Sequence, residues 1–405
     1  MNRKNVLKFL ASVPFLGSVV VSGQFPQGID LETGTSVANQ GFQRDYFTEL
    51  GVRTLINGRG TLTTLTGSLP DPAVVEAMNY ASQKFVSLSE LNEKVGNRIA
   101  EMLRCEDAHV TAGAASALTL ATAASITGTD REKIRMLPNH TGQQPEVVMP
   151  RTHRIYEQQF TLCGVKLVEV EGPEEMRRAI NENTVLAFYF NNAPERSIGR
   201  EEFVRIGKEY NVPTFNDCAS EIPPSENLFK YIEMGFDLVT FSGGKGLKGP
   251  QSAGLLYGRR DLIQAARMNH SPNGSIGRGM KVNKEEILGM MVALEVYLGK
   301  DHDAQRIEWE SWVEHIAERA RTVPSVSTTI GVHAETNQTP TVEITWDPSI
   351  VKITGREAAG NLREGHPSIE ANSGSHSLSY RIGRVQAHEV RIVAERTREV
   401  LQEAV

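Results

Sequence analysis

The chain has 405 residues, of which 40% are hydrophobic and 23% are charged, and its formal net charge at pH 7 is −6. This length accommodates one large domain and a smaller one, and the composition excludes a disordered or fibrous protein. No basic stripe with interleaved aromatic residues is present, so no nucleic acid partner is expected. The three cysteines, Cys105, Cys163 and Cys218, lack the spacing of a metal site and are expected to be buried thiols.

The first 23 residues have the layout of an export signal. Arg3 and Lys4 make the start basic, residues 9–21 are mostly apolar, and Val-Ser-Gly at 21–23 offers small side chains for cleavage. The start resembles a twin-arginine signal in which Lys4 replaces the second arginine. We therefore expect a periplasmic or exported protein, the alternative being a cytoplasmic protein that keeps an N-terminal amphipathic helix. No segment is apolar enough to span a membrane.

From about residue 105 the chain alternates short apolar runs with helical patterns, which indicates an α/β domain with a mostly parallel sheet. The helices between the strands are predicted at 114–126, 174–180, 200–210 and 227–234. The strands are predicted at 109–111, 146–149, 165–170, 184–190, 212–215, 237–241 and 253–257.

Helical spacing prevails from Lys284 to about residue 320. Strands at 341–346 and 377–381 and a terminal helix at 390–405 then indicate a small α+β domain. We therefore predict four parts of the chain, which are a signal segment at 1–23, an N-terminal arm at 24–70, a large domain at 71–300 and a small C-terminal domain at 301–405.

Three features at the ends of predicted strands carry chemistry, and the first is a glycine turn. Gly113 follows a strand, and the small residues Ala114, Ala115 and Ser116 open the next helix. Free backbone N–H groups and the positive end of the helix dipole make such a turn a site for an anion, above all phosphate. Alone, the pattern is explained equally well by tight packing between strand and helix.

The second and third features are a carboxylate and a lysine. Asp217 ends an apolar strand, and open α/β sheets bind ligands at the carboxyl ends of their strands. An aspartate at such a position also commonly caps a turn. About 28 residues later, Lys245 and Lys248 lie among the glycines of the stretch 241–254. A lysine amine attacks carbonyl groups once its environment lowers its pKa, whereas most lysines are solvated at the surface.

The glycine turn, which we call the phosphate cradle, the carboxylate and the lysine together are the groups that bind pyridoxal 5′-phosphate in enzymes. The phosphate of this cofactor binds at a helix N-terminus, its ring nitrogen takes a carboxylate, and its aldehyde forms a Schiff base with a lysine. Each feature alone has a structural explanation, but the three features together favour a pyridoxal-phosphate enzyme.

The sequence resembles the fold-type-I pyridoxal-phosphate enzymes. More narrowly, it resembles the group of bacterial selenocysteine synthase (L-seryl-tRNA(Sec) selenium transferase) and D-glucosaminate-6-phosphate ammonia-lyase. The resemblance covers roughly residues 45–405 and rests on five stretches, which are LINxxGTLT at 55–63, the cradle at 111–116, Asp217-x-Ala219, FSGGKGLKGPQSAG at 241–254 and GRxMKVxKE at 277–285.

The resemblance implies roles for individual residues. Lys245 corresponds to the Schiff-base lysine and would be the general base on the Cα proton, while Asp217 would hold the ring nitrogen. Ser242 and the cradle residues Gly113, Ala114, Ala115 and Ser116 would contact the cofactor phosphate. His153 occupies a position near the cofactor ring, where it either stacks on the ring or is a surface histidine of a basic loop.

Arginines are the expected anion ligands beyond the cofactor. Arg384, slightly ahead of Arg381, is expected to bind the substrate carboxylate, although each of them could instead belong to a solvated strand face. Arg278 is expected to approach a phosphate, either of its own subunit or of a neighbouring one, because active sites of this fold lie between subunits. The expected assembly is therefore a homodimer or a larger homo-oligomer.

The implied function is that of a lyase which removes the Cα proton of an amino acid or amino sugar acid and eliminates a β-substituent. The alternatives are a racemase or an aminotransferase, and also a binding module that keeps the cofactor site. Selenium transfer to a seryl-tRNA ranks lower because residues 24–50 contain one arginine and no lysine. Export would favour a free amino acid over a phosphorylated sugar acid, and Arg59 replaces a small residue of the relatives.

Overall fold

The structure, a computed structural model, describes residues 44–151, 156–193, 197–332 and 336–405. Residues 54–405 form one compact unit. The described residues before it contain one short helix, α1 (Tyr46–Leu50). The predicted export signal at 1–23 lies outside the described residues. Within the described part, no helix combines the length and the apolar character that a membrane crossing needs.

The compact unit begins with a short strand and two helices. These are β1 (Leu55–Asn57), α2 (Pro72–Ser82) and α3 (Leu88–Leu103). Asp71 caps α2, and Ser87 caps α3, by accepting hydrogen bonds from backbone N–H groups of the first turn. None of the three elements was predicted from the sequence.

A seven-stranded sheet occupies the centre of the following part. Its strands are β2 (Asp107–Thr111), β3 (Glu146–Pro150), β4 (Lys166–Val170), β5 (Thr184–Phe190), β6 (Thr214–Asp217), β7 (Leu238–Ser242) and β8 (Gly254–Gly258). The spatial order is β2-β8-β7-β6-β5-β3-β4. Strand β8 runs antiparallel to both of its neighbours, and the other neighbouring pairs are parallel. The predicted mostly parallel sheet is therefore confirmed.

Helices connect the strands, because parallel neighbours need crossover connections. They are α4 (Gly113–Thr127), α5 (Arg131–Met136), α6 (Glu157–Thr161), α7 (Pro173–Ala179), α8 (Arg200–Glu209) and α9 (Asn227–Met234), and a further helix, α10 (Arg260–Met268), follows β8. All seven predicted strands and all four predicted helices of this part are present, with ends that differ by at most two residues. Strands β6, β7 and β8 are almost completely buried, which explains their continuous apolar runs.

The C-terminal part combines helices with a smaller antiparallel sheet. Its elements are α11 (Lys284–Leu298), α12 (His302–Ala320), β9 (Val326–Gly331), β10 (Thr341–Trp346), α13 (Gly355–Glu364), β11 (Ser368–Glu370), β12 (Asn372–Ser373), β13 (Ser377–Arg381), a 3₁₀ turn (Ile382–Arg384) and α14 (Ala387–Gln402). The spatial order of the sheet is β12-β13-β10-β9. Strand β11 pairs instead with β1 in parallel, and Ile56 lies opposite Ile369. The predicted strands 341–346 and 377–381 are present.

Buried apolar side chains form three clusters. Two of them include strands of the seven-stranded sheet, with Phe241 in one and Phe188 in the other. The third cluster is built from elements of the C-terminal part together with Ile56 of β1. The boundary at residue 300 stays a prediction. Cys163 and Cys218 are buried thiols as expected, whereas Cys105 is only partly buried.

Candidate active site

The predicted site residues lie at one edge of the seven-stranded sheet. Strands β6 and β7 are parallel neighbours, so their carboxyl ends, at Asp217 and Ser242, meet at the same edge. Gly254 at the start of β8 lies opposite Ser242 on one side and opposite Thr111, the last residue of β2, on the other. The glycine turn at Gly113 therefore lies beside the carboxyl end of β7.

Asp217 and Lys245 line the same cavity, which has a volume of about 160 Å³. Asp217 is supplied by the end of β6, and Lys245 by the turn that follows β7. The sequence thus brings an amine and a carboxylate, far apart in the chain, to one small space. The other residues around this cavity are Tyr156, Phe190, Asn192, Ala219, Ser220 and Glu221.

The Asp217 carboxylate is almost completely buried, with 3% of the residue exposed. Its Oδ1 accepts a hydrogen bond from the backbone N–H of Ala219 over 3.0 Å. Burial raises the pKa of Asp217, while the Ala219 N–H and the charge of Lys245 act in the opposite direction. A positively charged group beside this carboxylate would stabilise its ionised form, which fits the role of a partner for a protonated ring nitrogen.

Lys245 is partly buried. Burial lowers the pKa of its amine, and the negative charges of Asp217 and Glu221 counteract this effect. A lysine of lowered pKa has a larger neutral fraction near pH 7, and the neutral amine is the nucleophilic and basic form. The environment of Lys245 therefore matches the chemistry that the sequence predicted for it.

The glycine turn forms an open helix N-terminus. Gly113 has a φ of 74°, a conformation that favours glycine, and no side chain caps the 15-residue helix α4. Ala114 and Ser116 are buried and Ala115 is exposed, while the Ser116 hydroxyl donates to the carbonyl oxygen of Gly113 over 3.3 Å. The uncapped first turn leaves backbone N–H groups for an anion, which fits a cofactor phosphate.

The structure separates the two predicted substrate arginines. Arg384 is partly buried, and its Nη1 donates to the backbone carbonyl oxygen of Lys245 over 3.4 Å. Burial lowers the pKa of Arg384 to about 10. Arg381 is exposed, and its backbone N–H donates to the carbonyl oxygen of Gly58 over 2.8 Å. Of the two candidates, Arg384 is thus the one whose guanidinium contacts the turn that carries Lys245.

Three further sequence predictions have different outcomes. His153 lies outside the described residues. Arg278 is exposed, and its approach to a phosphate stays a prediction. Arg59 forms an ion pair with the buried Glu370 over 3.4 Å and donates to the side-chain oxygen of Asn372 over 3.3 Å. The positive charge of Arg59 is therefore balanced by a carboxylate of the same chain.

Sequence reasoning missed the cavity residues Tyr156, Phe190 and Glu221. Glu221 is 1% exposed and lies four positions after Asp217. The presence of two acidic residues shortly after one strand was the signal in the sequence that could have indicated its place at the cavity. Burial raises the pKa of Tyr156, and the charge of Asp217 adds to the effect. Nothing in the local sequence of Tyr156 or Phe190 indicates that the two rings meet at this cavity.

Comparisons with known proteins agree with this geometry. The model of the family "SelA: L-seryl-tRNA selenium transferase" matches residues 86–335. The chain is 28% identical to D-glucosaminate-6-phosphate ammonia lyase of Salmonella typhimurium, over 88% of this chain and 98% of that protein. It is 30% identical to 5′-C-glycyluridine monooxygenase-decarboxylase of a Streptomyces species, over 80% of this chain and 83% of the relative.

A solved structure of D-glucosaminate-6-phosphate ammonia-lyase superposes with a TM-score of 0.78 and 26% identity, over 89% of this chain and 99% of that one. The family and its fold-type-I relatives depend on pyridoxal phosphate. The resemblance stated from the motifs is therefore confirmed, together with the fold and the cofactor. The chain belongs to the SelA family of fold-type-I enzymes that use pyridoxal 5′-phosphate.

Proposed function

We propose that the protein is a pyridoxal-phosphate-dependent lyase that acts on an amino acid or an amino sugar acid. It removes the Cα proton, eliminates a β-hydroxyl group as water and yields ammonia. The observation that carries this proposal is the cavity shared by Lys245 and Asp217, with the Arg384 guanidinium on the backbone of the same lysine.

The residues of the site divide the work of holding the cofactor and the substrate. The cofactor, when bound, supplies an electron sink for negative charge at Cα. Asp217 would hold the ring nitrogen, because a positive charge beside the buried carboxylate favours its ionised form. The first turn of α4 and Ser242 would hold the phosphate, and Arg384 would bind the substrate carboxylate.

Lys245 moves the proton in this proposal. Its Nζ accepts the proton from Cα, for which the lowered pKa makes the neutral amine available. The bond between Cβ and the hydroxyl oxygen then breaks, and the proton held on Lys245 Nζ passes to the leaving oxygen, so that water is released and the neutral amine is restored. The released enamine is hydrolysed to a keto acid and ammonia, so the reaction needs no oxidant, reductant or amino acceptor.

The relatives support a lyase more than the other candidates. A protein named as an ammonia lyase aligns over nearly its whole length, and its fold superposes on this chain. A racemase or an aminotransferase would use the same lysine and carboxylate but has no counterpart among these relatives. An oxygen-dependent decarboxylase is the second candidate, because the Streptomyces relative carries that name.

A product assay on the purified protein with added cofactor tests the proposal. D- and L-amino acids and amino sugar acids that carry a β-hydroxyl group are incubated without an amino acceptor. We expect a keto acid and ammonia in equal amounts. Inversion of the configuration at Cα without other change would indicate a racemase. A reaction that depends on a keto acid acceptor would indicate an aminotransferase. Oxygen uptake together with carbon dioxide release would indicate a decarboxylating oxygenase. No change in any substrate, with cofactor bound, would favour a binding module.

We further propose that the protein acts on a small molecule, without a nucleic acid, as a homodimer or a larger homo-oligomer. Light scattering after size exclusion of the holoenzyme measures the subunit number, and a monomer would refute this part. Export through the N-terminal segment is supported by its basic and apolar layout. N-terminal sequencing of the protein from separated periplasm and cytoplasm tests it, and an uncleaved cytoplasmic form would contradict export.

A further inference from the structure

A second cavity lies beside β2, the terminal strand of the seven-stranded sheet, and has a volume of about 440 Å³. It is separate from the cavity of Asp217 and Lys245, with which it shares no described residue. Its wall is formed by side chains of α3, β2, α10 and the segment 271–273. Because a water molecule occupies about 30 Å³, the cavity has room for a small organic molecule.

Four side chains of this wall contain a buried polar atom that forms no hydrogen bond with any described residue. The atoms are Oδ1 of Asn92, Nδ1 of His109, Nε of Arg267 and Oγ of Ser271. The residues Asn92, His109 and Ser271 are 8%, 1% and 3% exposed. A buried polar atom without a partner is costly, so four of them around one cavity indicate a polar molecule that completes their hydrogen bonds.

Two histidines show that Nδ1 of His109 is a hydrogen-bond acceptor. Nε2 of His270 lies 2.7 Å from the carbonyl oxygen of Met280, and since a carbonyl only accepts, this Nε2 carries a hydrogen. Burial lowers the pKa of both histidines, which keeps both rings neutral. Nδ1 of His270 therefore accepts from Nε2 of His109 over 2.8 Å. Nδ1 of His109 then has no hydrogen and presents a free lone pair.

Arg267 has the opposite hydrogen-bonding character. Its Nη1 donates to Oδ2 of Asp107 over 2.9 Å, and its Nη2 donates to the carbonyl oxygen of Ala108 over 2.6 Å. Its Nε–H has no acceptor among the described residues. A matching ligand must therefore donate hydrogen bonds at one end, to His109 and Asn92, and accept one at the other end, from Arg267.

The ionic side chains of the wall cancel one another. Glu93 and Asp107 are negative, and Arg260 and Arg267 are positive. The wall thus suits a ligand that is neutral overall and carries a donor and an acceptor. The zwitterion of an α-amino acid meets this description, because its ammonium group donates and its carboxylate accepts. Hydrogen bonds to such charged groups are stronger than those to the hydroxyl groups of a neutral sugar.

We propose that this cavity is a second ligand site, which binds a small polar α-amino acid as its zwitterion. The ammonium group of the ligand donates to Nδ1 of His109 and to Oδ1 of Asn92. The carboxylate accepts from Nε of Arg267 and from the hydroxyl group of Ser271. The site lies outside the cavity of Lys245 and goes beyond the proposed lyase reaction, on which it does not depend.

Isothermal titration of the borohydride-reduced holoenzyme tests the inference, since the reduced cofactor does not react with the amine of a ligand. The probes are both enantiomers of serine, glycerate, in which a hydroxyl group replaces the ammonium group, serinamide, in which an amide replaces the carboxylate, and glucose. We expect one enantiomer of serine to bind at this site and the other three compounds to bind at least about tenfold more weakly. No binding of serine, or equal affinity for any of the three, would overturn the inference.

Two variants assign the binding to the cavity. Ser271→Ala and Asn92→Leu each remove one of the unpartnered atoms, and we expect each to lower the affinity for serine about tenfold. The melting temperature of Ser271→Ala should not fall, because the free protein loses no hydrogen bond, whereas a structural hydroxyl group would be missed. Ser82→Ala, at an exposed serine of α2, is the control.

Unchanged affinity for serine in both variants would overturn the inference. If Asn92→Leu does not fold, Ser271→Ala, which removes one atom, decides.

A third variant separates this site from the active site. Arg384→Ala changes the residue proposed to bind the substrate carboxylate, so the cavity should still bind serine in this variant. Loss of serine binding in Arg384→Ala, together with unchanged binding in Ser271→Ala, would locate serine at the active site and overturn the inference. The titration records heat of binding and needs no turnover, so failure of the proposed lyase reaction leaves its result unaffected.

Discussion

The Nη1 of Arg384 donates a hydrogen bond over 3.4 Å to the backbone carbonyl oxygen of Lys245. This contact joins the 3₁₀ turn after β13 to the turn after β7, although 139 positions separate the two residues in the chain. The residue proposed to hold the substrate carboxylate is thereby fixed relative to the residue proposed to move its proton.

The first prediction concerns the substrate carboxylate. Arg384→Ala should lower kcat/KM about 30-fold, mainly through KM, because a hydrogen bond to a charged group contributes about 2 kcal/mol. Steady-state kinetics of ammonia release measure this. The matched control is Arg381→Ala at the neighbouring exposed arginine. A larger effect of Arg381→Ala would move the carboxylate site to that residue.

The second prediction concerns which lysine carries the cofactor. Lys245→Ala should abolish the borohydride-stable adduct, since Lys245 and not Lys248 shares the cavity with Asp217. Lys248→Asn should keep the adduct. Mass spectrometry of the reduced and digested protein locates the modified peptide, and an adduct on Lys248 would contradict the assignment of the whole site.

The third prediction concerns the buried carboxylate. Asp217→Ala should still bind the cofactor through Lys245 and the phosphate cradle but lower kcat at least about a hundredfold, as is typical when one electrostatic partner of a reacting group is removed. Exchange of the Cα proton with deuterated solvent, followed by NMR, measures the affected step. Glu101→Ala, at a side chain that is 70% exposed, is the control. Near-normal exchange in Asp217→Ala would show that another group protonates the ring.

The fourth prediction concerns the cradle. A Cβ on Gly254 would lie 2.5 Å from the carbonyl carbon of Gly113 and 2.7 Å from the nitrogen of Ala114, so Gly254→Ala must displace the turn. We expect a loss of about 2 kcal/mol in the free energy of unfolding and weaker cofactor binding. Thermal melts and cofactor titration measure both. Gly274→Ala, with no atom within 4 Å of the added Cβ, should change neither.

The seven-stranded sheet could be predicted from the sequence because the signals that identify its strands and helices are local. Strands buried on both faces are continuous apolar runs, and the helices between them have a clear apolar period. The site residues Asp217 and Lys245 could be predicted because each follows such a strand and the order of features matches one cofactor. The left-handed conformation of Lys248, with a φ of 53°, had no local signal, since left-handed residues are usually glycine, asparagine or aspartate.

Long-range pairings escaped prediction. Strands β1 and β11 have three residues each, and their parallel pairing joins residues 55–57 with residues 368–370. No periodicity in either stretch identifies the partner. The cavity residues Tyr156 and Phe190 are similar cases, because their rings approach to 6.2 Å between centroids only in the folded chain.

Strand β1 has a consequence for any attempt to divide the polypeptide. Ile56, 4% exposed, completes an apolar cluster whose other members come from the C-terminal part. A recombinant fragment that begins at residue 301 would lack this side chain and would leave the edge of β11 open to intermolecular pairing. We expect such a fragment to aggregate, and a synthetic peptide spanning residues 54–60 to restore its solubility by complementation.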